Sequence, residues 1–308
     1  MEQINKVTVI IRSVGERTTN LCERLILSQN IPKENLFIVQ ERPFSKAMKV
    51  SYQTGIDNNL PWTFCVDADV LLREGSIIDL LNKIEKKPDN TLGISGEVLD
   101  KLWGKKRTAG NHLFKTEFLH KMIENIRPYH DESIRPESDV IKKLNKNGLL
   151  FEKCDQFIGL HDYEQSYLDI ARKAYTHSQK HPQHLNEFYS YWAIASKNDR
   201  DYEVALFGLS RGITHSGDLK IDVNLFEILS QQVKNEFGEK GNNKNDFSIV
   251  DGEDVLEEMN NADNYFRLDN LMKEKNEKIF RSKFYKKKYS SLIKHFAGRI
   301  LKDLGLLK

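Results

Sequence analysis

Residues 62–69 read Trp62-Thr63-Phe64-Cys65-Val66-Asp67-Ala68-Asp69, an apolar run that stops at two carboxylates two residues apart. A short run without polar alternation predicts a strand buried on both faces of a sheet. Val7 to Ile11 (VTVII) predicts another, opening into the polar turn Arg12-Ser13-Val14-Gly15-Glu16-Arg17. After Thr19, the residues Leu21, Cys22, Leu25 and Ile26 recur at helical spacing. A strand at Leu36 to Gln40 and a helix at Ser45 to Asn58 follow before the first run is reached. Strand, helix, strand, helix, strand is the order of a doubly wound α/β sheet.

In such sheets ligands gather where strand carboxyl ends meet loops, which is where Asp67 and Asp69 stand. Two such carboxylates can jointly hold a hard divalent cation, Mn2+ or Mg2+, together with substrate phosphates. A D-x-D arises readily by chance. The chain holds a second, Asp199-Arg200-Asp201, which reads as a solvated turn in a charged segment between helices. For Asp67 and Asp69 the alternative reading is a strand-capping turn.

The stretches VTVIIRSVGERTTNLCERLI, NLFIVQE, SKAMKVSYQTGIDNN and WTFCVDADVLL together resemble the nucleotide-sugar half of GT-A fold glycosyltransferases of the family 2 type. The resemblance covers roughly residues 5 to 165. It implies a Rossmann-like nucleotide-sugar-binding sheet flanked by helices. It also implies donor contacts from the loop after the first strand, at Arg12, Ser13 and Glu16, and from Glu41 at the end of the second. Thr108 to Phe114 is similar to the family's Gly-Asn segment, which implicates Asn111 in lining the donor sugar. Glu137-Ser138-Asp139-Val140, with Leu144 and Gly148, is similar to the helix that supplies the catalytic base. The acidic pair is split here; counting back eleven residues from Gly148 aligns Glu137, and Asp139 stays a candidate beside it. His161, after a strand at Phe157 to Leu160, resembles the histidine that completes metal coordination. Its second nitrogen would be held by a group such as Asp162 or Glu164.

These residues suit metal-assisted sugar transfer. Asp69 would bind the cation directly and Asp67 would contact metal-bound water or the ribose. Lys46 would face phosphate as a point charge, or be an exposed helix lysine. Inverting transfer needs a carboxylate within reach of the acceptor hydroxyl, with Glu137 first in line; retaining transfer needs none. Trp103 offers a platform for an acceptor sugar ring, with packing in a core or lid as the alternative. Gly104-Lys105-Lys106-Arg107 reads as a lid over the diphosphate or as a solvated basic loop.

The chain has 308 residues, 39% hydrophobic and 30% charged, with 16 Phe and 11 Tyr, which excludes disorder over most of its length. Its 47 basic and 45 acidic side chains leave a net charge of +2, not the basic excess of a dedicated nucleic-acid binder. Cys22, Cys65 and Cys154 show no paired spacing, which fits a reducing compartment. The opening MEQINKVTVII begins a strand rather than a signal peptide, and no apolar run approaches the ~18 residues of a membrane span, so a cytoplasmic location is expected.

Beyond Tyr163 the pattern turns helical, and Asp201 to Phe207 resembles half of a tetratricopeptide helix pair. The expected organisation is a catalytic domain at 1–165, helices packed on it at 166–236, a linker at 237–260 and a basic amphipathic tail at 261–308. His177, His181 and His184 are close in sequence, but Pro182 interrupts their helix, and they are not taken as metal ligands. Between Arg281 and Lys308 nine basic residues face one acid, Asp303, along an apolar stripe. Such a helix lies on an anionic membrane surface at the inner face of a membrane, or docks on the protein's own core.

The leading expectation is a metal-dependent glycosyltransferase moving a sugar from a nucleoside-diphosphate sugar to a glycan, lipid-linked or protein acceptor, with no nucleic-acid partner. The rivals are a nucleotidyltransferase and a non-catalytic scaffold. The turn SVGERT lacks the glycine-rich stretch that cradles a triphosphate, which counts against the first rival.

Overall fold

The computed structural model describes residues 3–131, 133, 135–215 and 223–240. The expected tail at 261–308 and residues 241–260 of the expected linker lie outside the described residues. Two compact units divide the chain. The first takes residues 3–101 and 106–164, and the second takes residues 102–105 with the described residues from Gln165 to Lys240.

In the first unit, β1 (Val7–Arg12) and β3 (Trp62–Asp67) form where the apolar runs predict, and every residue of β1 is buried. β2 (Leu36–Val39) pairs with β1 in parallel, and β1 pairs with β3 in parallel. Between these strands run α1 (Thr19–Leu27) and α2 (Phe44–Asn58). Helix α2 buries Ala47, Met48, Ser51, Tyr52 and Gly55 along one face, and it ends where Asn59 takes a left-handed conformation (φ 54°). This is the doubly wound opening expected from the sequence.

The rest of the sheet is mixed. β4 (Val70–Leu72) follows the two aspartates at once and is succeeded by α3 (Ser76–Ile84), β5 (Thr91–Asp100), β6 (Lys105–Thr108) and β7 (Asn111–Lys115). Then come α4 (Leu119–Asn125), α5 (Pro136–Lys146) and the long β8 (Leu150–His161). The order across the sheet is β2-β1-β3-β7-β5-β8-β4, with β6 paired to β5. β7 runs antiparallel to both β3 and β5, β8 runs parallel to β5, and β4 runs antiparallel to β8. Ile10, Met48, Tyr52, Cys65, Phe114, Met122, Val140 and Leu144 belong to one core cluster, built from the sheet together with α2, α4 and α5. The result is a mixed α/β sheet flanked by helices and followed by a helical extension.

That extension belongs to the second unit: α6 (Tyr167–Lys180), α7 (Leu185–Ala195), α8 (Arg200–Ile213) and α9 (Val223–Phe237). Helices α6 and α8 cross closely because Gly208 has no side chain; a Cβ there would lie 2.2 Å from the Ala171 carbonyl oxygen. Leu102 is buried in the same core, where its carbonyl accepts the Trp192 Nε1 hydrogen at 2.6 Å. The second D-x-D is not the solvated turn expected of it. Asp199 caps α8 by accepting from the Asp201 amide at 2.8 Å, and Asp201 is 3% exposed and paired with Lys240 at 2.8 Å. Its acids serve a helix end, where carboxylates satisfy free amides. No helix among the described residues is long and apolar enough to cross a membrane.

Candidate active site

Three strand registers assemble the candidate site in the first unit. The parallel pairing of β1 and β3 sets Arg12 opposite Asp67. Arg12 Nε donates to Asp67 Oδ1 at 2.9 Å, and Arg12 Nη1 donates to Glu137 Oε1 at 2.8 Å from the first turn of α5. The Phe44 ring lies 4.9 Å from the guanidinium carbon, and Arg12 itself is 4% exposed. Tyr52 on α2 donates to the same Glu137 oxygen at 2.7 Å, and His112 Nδ1 lies 3.1 Å from Oε2. Burial alone would push the Glu137 carboxyl up, but Arg12 and then His112 outweigh it and hold it well below the usual carboxylate range. Glu137 is thus an ionised, fully engaged carboxylate.

The antiparallel pairing of β4 with β8 sets Val70 opposite His161, which brings the residue before one beside the residue after the other. Asp69 and Asp162 therefore meet, and the Asp162 amide donates to the Asp69 carbonyl at 3.2 Å. Asp162 accepts a left-handed backbone there (φ 59°), which aspartate tolerates better than most residues. His161 Nε2 lies 3.6 Å from Asp69 Oδ1. The parallel pairing of β5 with β8 sets Asp100 opposite His161, and His161 Nδ1 lies 2.8 Å from Asp100 Oδ2. Burial lowers the proton affinity of His161, but Asp162, Asp69 and Asp100 outweigh it and push its pKa up to about 9.

Asp69, His161 and Asp162 are all buried, and each offers a ligand atom within 4.8 Å of the others. Two carboxylates and an imidazole form a donor set suited to a divalent cation such as Mn2+ or Mg2+, and a single ion can bridge separations of this size. Among the described residues no other group of three acids, histidines or cysteines meets this spacing.

The other residues expected at the site fall into distinct settings. Glu16 closes the β1–α1 turn on itself, accepting from Ser13 Oγ at 2.8 Å and the Val14 amide at 2.7 Å. Glu41 and Lys46 pair with each other at 2.7 Å near the surface. Asn111 is fully buried. Its amide oxygen accepts from the Gly96 amide and Ser95 Oγ, and its amide nitrogen donates to the Gly96 and Ala109 carbonyls. With both ends so engaged it ties β7 to β5. Asp139 is more open, accepting from Ser133 Oγ at 3.0 Å. Trp103 lies in the second unit, ringed edge-on by His177, His181, His184 and Phe188 at centroid distances of 4.7 to 5.6 Å. Within the expected lid, Lys105 pairs with Glu187 and Arg107 with Asp100, so the run is tied down as the strand β6.

Sequence reasoning missed Asp100 and Tyr52 as members of this site, named Arg107 and His112 only within the lid run and the Gly-Asn segment, and placed Asp162 behind His161 rather than beside Asp69. Glu164, the alternative partner offered for His161, instead lies 3.7 Å from Arg17. The signal that could have found Asp100 is the rule that located Asp67, an acid ending an apolar strand, applied to Thr91–Asp100.

No protein-family model matches the chain, and no curated protein matches it. Among solved structures it is similar to a mannosyltransferase, PcManGT from Pyrobaculum calidifontis, in complex with GDP-Man and Mn2+. That match has 12% identity, covers 74% of this chain and 79% of the other, and has a TM-score of 0.39. It is also similar to a glycosyltransferase involved in glycosylation of the major capsid of PBCV-1, at 14% identity, 48% and 82% coverage, and a TM-score of 0.35. A third is a cytidylyltransferase from Leptospira borgpetersenii serovar Hardjo-bovis, at 14% identity, 49% and 76% coverage, and a TM-score of 0.33.

Proposed function

We propose that this chain is a transferase that moves a sugar from a nucleoside-diphosphate sugar to a glycan, lipid-linked or protein acceptor, with a divalent cation held by Asp69, His161 and Asp162. The observation that carries the reading is the meeting of these three ligands one residue beyond the strand pair β4–β8, within a sheet whose Asp67 is fixed by Arg12. A divalent cation bound there would neutralise the charge that builds on a departing diphosphate. Because an imidazole ligand must be neutral, His161 would hold such a cation only in its unprotonated form.

Asp67 is anchored through one oxygen by Arg12 and keeps its second for a ribose hydroxyl or a cation-bound water. Glu137 is a weak base as it stands, since Arg12, Tyr52 and His112 all stabilise its ionised form. Its part is to hold Arg12 and His112 in place, and Asp139, at the same helix start, keeps the freer access to an acceptor hydroxyl. Residues 1–165 form the catalytic domain in this reading and 166–236 the helical extension. The tail at 261–308 either binds an anionic surface or docks on the protein's own core, and loss of sedimentation with anionic vesicles on removal of residues 286–308 would favour the first while unchanged sedimentation would reject it.

The deciding experiment is a thermal-shift panel of nucleoside-diphosphate sugars with and without Mn2+, because a ligand that binds the folded state raises its stability. The reading expects a Mn2+-dependent shift with one nucleotide class, lost in Asp69→Ala, and slow release of nucleoside diphosphate. Release of pyrophosphate from a nucleoside triphosphate would instead make the chain a nucleotidyltransferase, and no nucleotide-dependent shift would leave it a scaffold.

A further inference from the structure

We infer that Asp100 is the residue that fits His161 to serve as a metal ligand, and that Arg107 holds Asp100 in that role. The inference rests on the metal-dependent reading above and adds a control of that site by two residues that ligate nothing. Asp100 ends β5 with no exposed surface, and its Oδ2 lies 2.8 Å from His161 Nδ1. A carboxylate can only accept, so Nδ1 carries the hydrogen of that bond, and in the neutral ring the lone pair falls to Nε2, the nitrogen 3.6 Å from Asp69 Oδ1. The ring is thereby turned and fixed in the tautomer that presents Nε2 beside Asp69.

Arg107 Nε donates to that same Asp100 oxygen at 2.6 Å. The arginine has a physical task there. Asp100, Asp69 and Asp162 crowd one imidazole, and the oxygen that faces Nδ1 is the one that Arg107 holds. Arg107 keeps that Asp100 oxygen oriented toward the ring. Asp162 Oδ2 lies 3.5 Å from Nδ1, too far for a good bond but next in line for it. With the Asp100 side chain removed or turned away, Asp162 would be drawn to Nδ1 and lost to the cation, so the site would lose a ligand and the orientation of another.

The experiment uses the full chain with Mn2+ alone as the probe, following free Mn2+ by electron paramagnetic resonance for wild type, Asp100→Ala and Arg107→Gln. Circular dichroism serves as the check of folding. Asp100→Ala removes the acceptor, and loss of such an outer carboxylate is expected to weaken Mn2+ binding by about 10- to 100-fold. Arg107→Gln, at a partly exposed side chain, is expected to weaken it less and in the same direction. Nitrogen-15 spectra of the histidine rings with Zn2+ as a diamagnetic stand-in supply a readout that a general loss of stability would not move. The wild-type His161 ring should be protonated at Nδ1 and bound through Nε2, and this signature should be lost in Asp100→Ala, which leaves Nδ1 without the oxygen that Asp100 supplies. Unchanged Mn2+ affinity in a folded Asp100→Ala protein that retains this signature, or a wild-type ring bound through Nδ1, overturns the inference and leaves the metal reading standing. A wild-type chain that takes up no Mn2+ overturns both.

Discussion

Replacing Arg12 by methionine tests the network beneath the candidate site most sharply. The side chain is 3% exposed, and its loss strips one hydrogen bond from Asp67 and one from the buried Glu137. Asp67 is about a third exposed and can turn to water, so its share of the cost is small. Glu137 cannot, and removing one partner of a buried ion pair costs about 3–5 kcal/mol because the other charge is left stranded. The lost contact with the Phe44 ring adds about 0.5–2 kcal/mol, in part replaced by the methionine side chain. If the stranded charge is the main cost, Arg12→Met combined with Glu137→Gln should be more stable than Arg12→Met alone by about 2–3 kcal/mol, since the glutamine is neutral and still accepts from Tyr52. Urea unfolding followed by far-ultraviolet circular dichroism on wild type, both single variants and the double variant gives this coupling directly. A double variant no more stable than Arg12→Met would refute the claim that Arg12 is there to neutralise Glu137.

Because the Glu137 carboxyl is held below its ordinary range in the folded protein, the stability it contributes is present in full above that range and is lost as pH falls below ~4. The stability difference between wild type and Glu137→Gln should therefore shrink as pH is lowered through the acid limb, and a constant difference would contradict the assignment. Gly110 has φ 61°, and a Cβ there would lie 2.7 Å from Val70 Cγ2 and 3.2 Å from Asp67 Oδ2. Gly110→Ala should cost at least ~1–2 kcal/mol from the left-handed backbone alone, read as a lower melting temperature, and an unchanged value would refute the close approach. Trp192→Phe leaves the buried Leu102 carbonyl without its donor and should destabilise the helical unit by ~1–3 kcal/mol, measured by urea unfolding; a neutral result would show that the bond contributes nothing.

What the sequence revealed and what it hid follow from the same physics. β1 and β3 are buried on both faces, so their composition is continuously apolar and their carboxyl ends, with Arg12 and Asp67, stand out in the chain. β8 is twelve residues long, yet only its last four, Ile158 to His161, are buried without interruption; the preceding Phe151-Glu152-Lys153-Cys154-Asp155-Gln156 carries polar residues to solvent and does not read as a strand. The pairing of residues that define the candidate site is a matter of register. Asp69 with Asp162, Asp100 with His161 and Arg12 with Glu137 are separated by between 61 and 125 positions, and no local pattern encodes those meetings. The histidines His177, His181 and His184 show the converse. Their spacing is conspicuous in the chain, and in the fold they surround Trp103 as aromatic packing.

The account turns on where a cation sits. Crystals soaked with Mn2+ and a nucleoside diphosphate, measured at a wavelength where manganese scatters anomalously, answer this directly. The account expects one strong anomalous peak in coordinating contact with Asp69, His161 and Asp162, with the diphosphate on its open side and Asp67 still bonded to Arg12. A peak held elsewhere, or diphosphate bound with no metal between these three side chains, would contradict it.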